Sequence, residues 1–424
     1  MKTTCCKYIL AAAVATISVP VLGNGFALNE QSASTAGTNY AGRASNPIDA
    51  TTIYGNPAGM SRLDHAQISA GAGFIHAKSD IDNAQGLFPG TNDGDMVPSE
   101  LVPFAYYAQP LSDKWSAGLG FYVPFGVETN YESSFQGRFH GLKSRVQVLS
   151  LQPTISYTIA DGVSIGGGPV ISRLDGELSN AIPGGVLAQN PGVPPQIIPG
   201  LVNGPDTRVK MKGHDEAFGF NLGLLVALND NLDWGITYHS KLKFKLDGHI
   251  DISNSPPASM VLANGRYNAN LTIIMPESVD TSLTYHLNQW TLSAGATWTR
   301  WSRLQGLNVA TDSPLGTIEQ ELNWEDTWSF AVGAAYRFNP QWEIRGGLGY
   351  DPSPTGNEYR TVRIPVSTRR TVTIGAGWTP TENLTFDLAY GHIWERSGKV
   401  EQETYQAEFK NSVDILVGQL TYRF

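Results

Sequence analysis

Eight histidines, an aspartate-rich stretch and two cysteines are what this 424-residue sequence offers for catalysis or metal binding, and none of them is arranged for it. His65, His140, His214, His239 and His286 are widely spaced, and neither a G-x-S-x-G elbow nor an H-E-x-x-H pair occurs. Asp80, Asp82, Asp93 and Asp95 do not keep the spacing of a calcium loop. Cys5 and Cys6 stand ahead of an early apolar run, so the chain beyond it has no disulfide, thiolate metal site or thiol nucleophile. The sequence therefore reads as a non-enzyme, with no cofactor and no metal. What stands out instead is apolar side chains in polar company. Phe135 and Phe139 lie in one candidate loop, and Ile182, Val186, Leu187, Val193, Ile197, Ile198 and Leu201 lie in another with few charges. An exposed apolar stretch this long is a contact surface for an oily molecule, unless the loop tip packs on its own neighbours.

The elements that must carry these loops are strands. Lys2 and Lys7 precede an apolar run from Tyr8 to Leu22, which makes residues 1–23 a secretory signal too short to span a bilayer. Removing it leaves 27 of the 29 basic residues against 38 acidic ones, a balance of −11 that disfavours nucleic acid as a partner. No run of 18 apolar residues follows, so no membrane helix is available. Yet 45 glycines, 10 Trp, 17 Tyr and 16 Phe with only 16% charged residues do not describe an ordinary soluble surface.

The strongest pattern is period-two alternation in segments of about ten residues, the mark of a strand with one face in lipid and one in water. Trp290, Leu292, Ala294, Ala296 and Trp298 alternate with Thr291, Ser293, Gly295 and Thr297. Leu384, Phe386, Leu388 and Tyr390 alternate with polar or small residues, as do Trp342, Ile344, Leu348 and Tyr350. The chain ends on Leu416, Leu420, Tyr422 and Phe424 set against Val417, Gln419, Thr421 and Arg423. Six short polar breaks, at 112–114, 160–162, 229–231, 288–289, 339–341 and 380–383, each precede a new run. With a first strand near 66–77 and the carboxy-terminal one, they predict an all-β fold: a 14-stranded antiparallel transmembrane β-barrel over 66–424. The seven longer loops fall near 78–100, 129–143, 178–207, 253–267, 306–318, 351–368 and 396–406.

A cylinder of that width is not filled by its own side chains, since about eight strands already leave only just enough room for them. The segment 24–65 is compact, rich in small residues and turned by Asn46-Pro47 and Asn56-Pro57, and Phe26, Leu28, Ile48, Ile53, Tyr54 and Met60 give it apolar anchors. It is the natural plug, because irregular backbone is tolerated at membrane depth where protein shields it. Asn56, Pro57 and Ala58 form a rigid corner in it. In FYVPFGVETNY, Pro124 and Gly126 flank Phe125 in the third strand and predict a kink or bulge, or else the strand's end at Pro124.

These segments carry a resemblance. NGFALNE, YAGRAS, NPAGM, SLQPTISY, DWGITYHSKLKFKLDG, MPESVD, TWTRWSRLQGL, YDPSP, RIPVSTRR and the terminal QLTYRF occur in order along the mature chain. Together they resemble the FadL family of outer-membrane long-chain fatty acid transporters, which also includes toluene-uptake channels. The resemblance implies a Gram-negative outer-membrane barrel with a hatch motif on Asn56, Pro57 and Ala58. It implies a lateral opening at Pro124, Phe125 and Gly126, a ligand-coupled amino terminus with Phe26 and Leu28 at the pocket, and hydrophobic capture by outer loops. The expected partners are a long-chain fatty acid or another hydrophobic small molecule, outer-membrane lipid and lipopolysaccharide, around a monomer. Arg138, His140, Lys143 and Arg145 suit lipopolysaccharide phosphates at the rim, and no lumen cation aligns with the family's head-group cations.

Overall fold

The computed structural model describes residues 25–189, 193–196, 198–255 and 262–424. The expected signal 1–23, Asn24, Ile197 and the side chains of Val186 and Leu201 lie outside the described residues. Fourteen staves follow one another. They are β1 (Gln67–Gly86), β2 (Glu100–Pro110), β3 (Trp115–Asn130), β4 (Lys143–Ala160), β5 (Val163–Ile182) and β6 (Thr207–Asn229). Next come β7 (Leu232–His239, then Leu242–Ser253), β8 (Gly265–Met275, then Ser278–Leu287), β9 (Trp290–Thr299, then Gly306–Thr311) and β10 (Thr317–Glu321, then Thr327–Asn339). The last are β11 (Trp342–Asp351), β12 (Arg369–Thr381), β13 (Leu384–Glu395, then Gly398–Gln402) and β14 (Tyr405–Arg423). Each pairs antiparallel with its neighbours in the chain, and β1 closes on β14 from Gln67↔Arg423 onward. The result is a closed 14-stranded antiparallel barrel.

All six expected turns join the staves they were assigned to. Asn288 and Gly162 hold positive φ in two of them, which is what a tight strand connection asks of its residues. Two expected loops are wrong in kind. Residues 306–318 are mostly the ends of β9 and β10, and 396–406 contain a segment of β13. Here the staves continue as hairpins above the bilayer, where alternation with lipid no longer writes a pattern into the sequence. For the same reason β1 runs to Gly86 rather than stopping near residue 77.

Outward positions are apolar and exposed, among them Phe218, Leu222, Ile374, Leu388 and Leu416. Aromatics gather at the short-turn end, where Trp342 stacks on Trp378 at 5.8 Å and Trp378 on Phe386 at 5.7 Å, with Phe424 nearby in sequence to Tyr422 at 5.2 Å. Such a girdle sits at a membrane interface. Inward positions are Ser, Thr, Gln and paired charges, as in Arg345 Nη1 to Asp387 at 2.5 Å.

Residues 25–65 occupy the bore. Ala33 N–H donates to Gln419 Oε1 on β14 (2.9 Å), Gln152 Nε2 on β4 to Ile53 O (2.9 Å), Asn56 Nδ2 to Leu224 O on β6 (3.0 Å), and Thr373 Oγ1 on β12 to Gly37 O (2.9 Å). Arg43 pairs with Asp280 on β8. Only a segment inside the ring reaches staves on all sides. Glycines make the approach possible. A Cβ on Gly235 would lie 1.8 Å from Ala44 O, and one on Gly347 would lie 2.3 Å from the Thr38 carbonyl carbon. Gly235→Val should therefore push the segment off the wall of β7, because a backbone carbonyl has nowhere to retreat. The expected readout is steady ion conductance in a planar bilayer, against the closed state expected of the unmodified protein, from a barrel whose heat-modifiable gel mobility is unchanged. A variant as closed as the parent would show that this contact does not hold the segment.

Candidate functional site: an apolar cavity beside an open seam

The β2–β3 ladder ends at Ala105↔Phe121, although β2 stays paired with β1 as far as Glu100. Residues 100–104 of β2 thus have no β3 partner. On its other side β3 remains paired with β4, but its register shifts between Tyr122 and Phe125, one residue more than β4 spends on the same span. Pro124 lies in that bulge and has no N–H to give a ladder. The third strand accordingly does not end at Pro124; it bends there and continues to Asn130.

The vacated edge of β3 is taken by the amino terminus. Gly126 N–H donates to Phe26 O (3.0 Å), Leu28 N–H donates to Pro124 O (2.9 Å), and Ala27 bridges Phe125. Phe26 is buried in an aromatic nest, with ring centroids 5.0 Å from Trp301, 5.8 Å from Trp324 and 6.1 Å from Phe125. Gly25, at φ +63°, lies so close that a Cβ would fall 2.6 Å from Trp301. Trp301 and Trp324 occupy the interruptions of β9 and β10, where the chain leaves the ladder and folds two indoles inward.

Beside this nest lies an apolar cavity walled by Phe26, Val127, Leu174, Leu304, Leu322 and Ile364 among others. Its walls are almost wholly aliphatic and aromatic, the lining that suits an apolar molecule. Ile364 belongs to the loop 352–368, which folds inward. Tyr131 Oη donates to Val362 O (2.6 Å), Thr129 Oγ1 to Arg363 O (3.1 Å), and Asn411 Nδ2 to Pro365 O (2.9 Å).

Phe26, Leu28 and the Pro124–Gly126 bulge are thus brought together. Asn56, Pro57 and Ala58 lie elsewhere in the bore: Asn56 Oδ1 accepts from Ala58 N–H (3.1 Å) and caps the 3-10 turn Pro57–Arg62, while its Nδ2 also reaches Ala44 O (2.6 Å). The expected exposed loop surface needs correction at three positions. Phe135 is fully buried, stacked on Tyr131 at 4.0 Å, Leu187 is buried on Val209, Met211, Ile250 and Ile252, and Val193 is buried as well. The outer ends of the staves present inward apolar side chains, so these residues gain more by burial than by facing solvent. Phe139 and Ile198 remain partly exposed, Phe139 against Phe88 at 4.5 Å, and Ile182 packs at the edge of the outer cluster. Sequence reasoning missed Trp301 and Trp324. Two large aromatics just outside alternating runs, in WTRWSR and NWEDTW, were the available signal.

A closed barrel with a lipid-facing exterior and aromatic girdle is a protein of the Gram-negative outer membrane. The family described as "Outer membrane protein transport protein (OMPP1/FadL/TodX)" matches residues 14–424, and the chain belongs to it. It is 28% identical over 411 residues to a long-chain fatty acid transport protein of Escherichia coli O6:H1, covering 92% of each chain. Its fold is similar to that of a Pseudomonas aeruginosa FadL homologue (TM-score 0.83, 22% identity, 94% of this chain and 100% of that one). It is also similar to the toluene transporter TodX of P. putida (TM-score 0.66, 20% identity, 90% and 95%).

Proposed function

We propose that this protein carries long-chain fatty acids passively across the outer membrane, acting as a monomer among outer-membrane lipid and lipopolysaccharide. Outer-loop side chains such as Phe139, Ile182 and Ile198 capture the molecule, the apolar cavity holds it, and the seam between β2 and β3 releases it sideways into the bilayer. Residues 25–65 act as the hatch, with Asn56, Pro57 and Ala58 as its fixed corner. The observation that carries this reading is that one short segment, Phe26 to Leu28, is both a wall of the cavity and the strip that occupies the open edge of β3.

Physical chemistry favours such a route. Each methylene taken from water gains roughly 0.8 kcal/mol, so a sixteen-carbon chain prefers an apolar surrounding by on the order of 12 kcal/mol. A wet exit would discard that preference, whereas a series of apolar sites ending in lipid uses it without any energy source. The relatives' names support fatty acids as cargo, and monoaromatic hydrocarbons are the rival cargo. Deleting the gene and measuring growth on oleate and on a monoaromatic carbon source separates the two. Growth is expected to fail on oleate and return on complementation; failure on the aromatic source alone would assign the protein to hydrocarbons.

A further inference from the structure

On the outer face of β6, Phe218, Phe220, Leu222 and Leu228 are exposed, and the next outward residue above Phe218 is Glu216. From 228 up to 218, at about 3.3 Å per residue and a tilt of about 40°, the strand climbs roughly 25 Å, the height of the lipid-facing band of such barrels. Phe218 and Phe220 therefore mark the outer lipid boundary. At that height the wall is notched. The β6–β7 ladder pairs Asn221 with His239 below and His214 with Asp247 above, and between them residues 215–220 face 240–246 without pairing. Side-chain bonds stand in for the ladder: Phe220 N–H donates to Ser240 Oγ (2.8 Å) and Lys245 N–H to Asp215 Oδ2 (2.6 Å). Buried Leu242 stops the notch from inside, so near Gly219 that a Cβ there would lie 2.7 Å from its Cδ2.

Outside, Lys241, Lys243 and Lys245 are exposed and alternate with buried Leu242, Phe244 and Leu246, so three ammonium groups stand in a row along the notch. Among the described residues none of the three has an acid within ion-pairing reach, whereas Lys210 and Lys212 on β6 are held by Glu177. Across the ladder to β8, Lys243 and Lys245 meet only Ile274 and Thr272. The basic residues expected at the rim are engaged elsewhere: Arg138 with Asp206, Lys143 and Arg145 with Glu128, and His140 with Thr404. On the opposite side of the barrel, the outward belt of β1 and β14 is acidic, with Asp80, Asp82, Glu408 and Asp414 around Lys78 and Lys410. Alternate positions on a strand are about 7 Å apart, so the three lysines repel one another until an anion joins them. A row of three suits one molecule that carries more than one phosphate, and the two phenylalanines at its foot suit that molecule's acyl chain.

Building on the reading above that places this protein among lipopolysaccharide, we propose that the notch between β6 and β7 is a lipopolysaccharide seat, with glucosamine phosphates on Lys241, Lys243 and Lys245 and an acyl chain against Phe218 and Phe220. The test titrates the purified barrel in neutral detergent with deep-rough lipopolysaccharide, its dephosphorylated form and phosphatidylglycerol, and counts bound lipid by native mass spectrometry. The unmodified barrel is expected to bind one lipopolysaccharide about a hundredfold more tightly than the dephosphorylated form, the combined worth of three lysines beside anionic lipid. Replacing all three by Gln should erase that difference, and replacing them by Arg should keep it. Lys78→Gln, Lys399→Gln and Lys410→Gln combined, on the opposite side of the barrel, should keep it too. Phe218→Ala with Phe220→Ala should weaken both forms alike, by severalfold. Equal binding of the two forms, equal binding of phosphatidylglycerol, or an equal loss in the opposite-side variant overturns the seat. A fall in oleate binding by the notch variant also overturns it, since none of these lysines faces the bore and the loss would be structural. Should the barrel bind neither form while oleate still binds, the lipopolysaccharide reading falls with the seat and the transport reading stands.

Discussion

Deleting Pro124 is expected to abolish oleate uptake while leaving a folded barrel in the membrane. The deletion removes the one residue by which β3 exceeds β4 between Tyr122 and Phe125, so the β3–β4 register becomes continuous and every later side chain keeps its face. The straightened strand can then extend its β2 ladder past Ala105↔Phe121 to residues 100–104, which have no β3 partner in the present structure. About five ladder hydrogen bonds form, each contributing about 1 kcal/mol and more where lipid offers no alternative partner. Opening the seam becomes on the order of 5 kcal/mol harder, a rate loss of roughly a thousandfold, which in a cell is background. Labelled oleate uptake and heat-modifiable mobility of the barrel, measured together, check it. Normal uptake by a correctly folded deletion variant would refute release through this seam.

How much of this could be read from residues alone depends on whether the bilayer did the writing. Lipid forces strict alternation on Trp290 to Trp298 and on Leu384 to Tyr390, and tight turns force Gly162 and Asn288 into positive φ, so staves and turns were legible within the membrane. Above it the constraint vanishes, which is why the outer parts of β9, β10 and β13 read as loops in the sequence. The kink was legible because proline removes a ladder donor wherever it stands. Its neighbour was not, since nothing in Phe26 announces that its carbonyl meets Gly126 across the bore. The same limit explains Phe135 and Leu187. A phenylalanine in a loop has the same letter whether it faces solvent or stacks on Tyr131, and only the three-dimensional return of the loop decides.

Phe26 joins the cavity to the seam, so its truncation should be felt at both. Phe26→Ala removes a ring buried among Trp301, Trp324 and Phe125, and a buried Phe→Ala change typically costs about 3–5 kcal/mol. Here the cost falls on the docked state of the amino terminus, because Phe26 O and Pro124 O are the acceptors that fasten it to β3. A shift of that size moves the docked–undocked balance by about two to three orders of magnitude. The amides of Gly126 and Leu28 report it directly, as they donate the two bonds concerned. Their hydrogen-exchange protection should drop by that factor, while amides in the continuous β1–β14 ladder keep theirs. A ligand that competes with Phe26 for the cavity should loosen the same two amides in the unmodified protein and add little in the variant, whose terminus is already free. Protection that is unchanged by the truncation would mean that the aromatic nest does not hold the terminus, and occupancy of the cavity would then have no route to the seam.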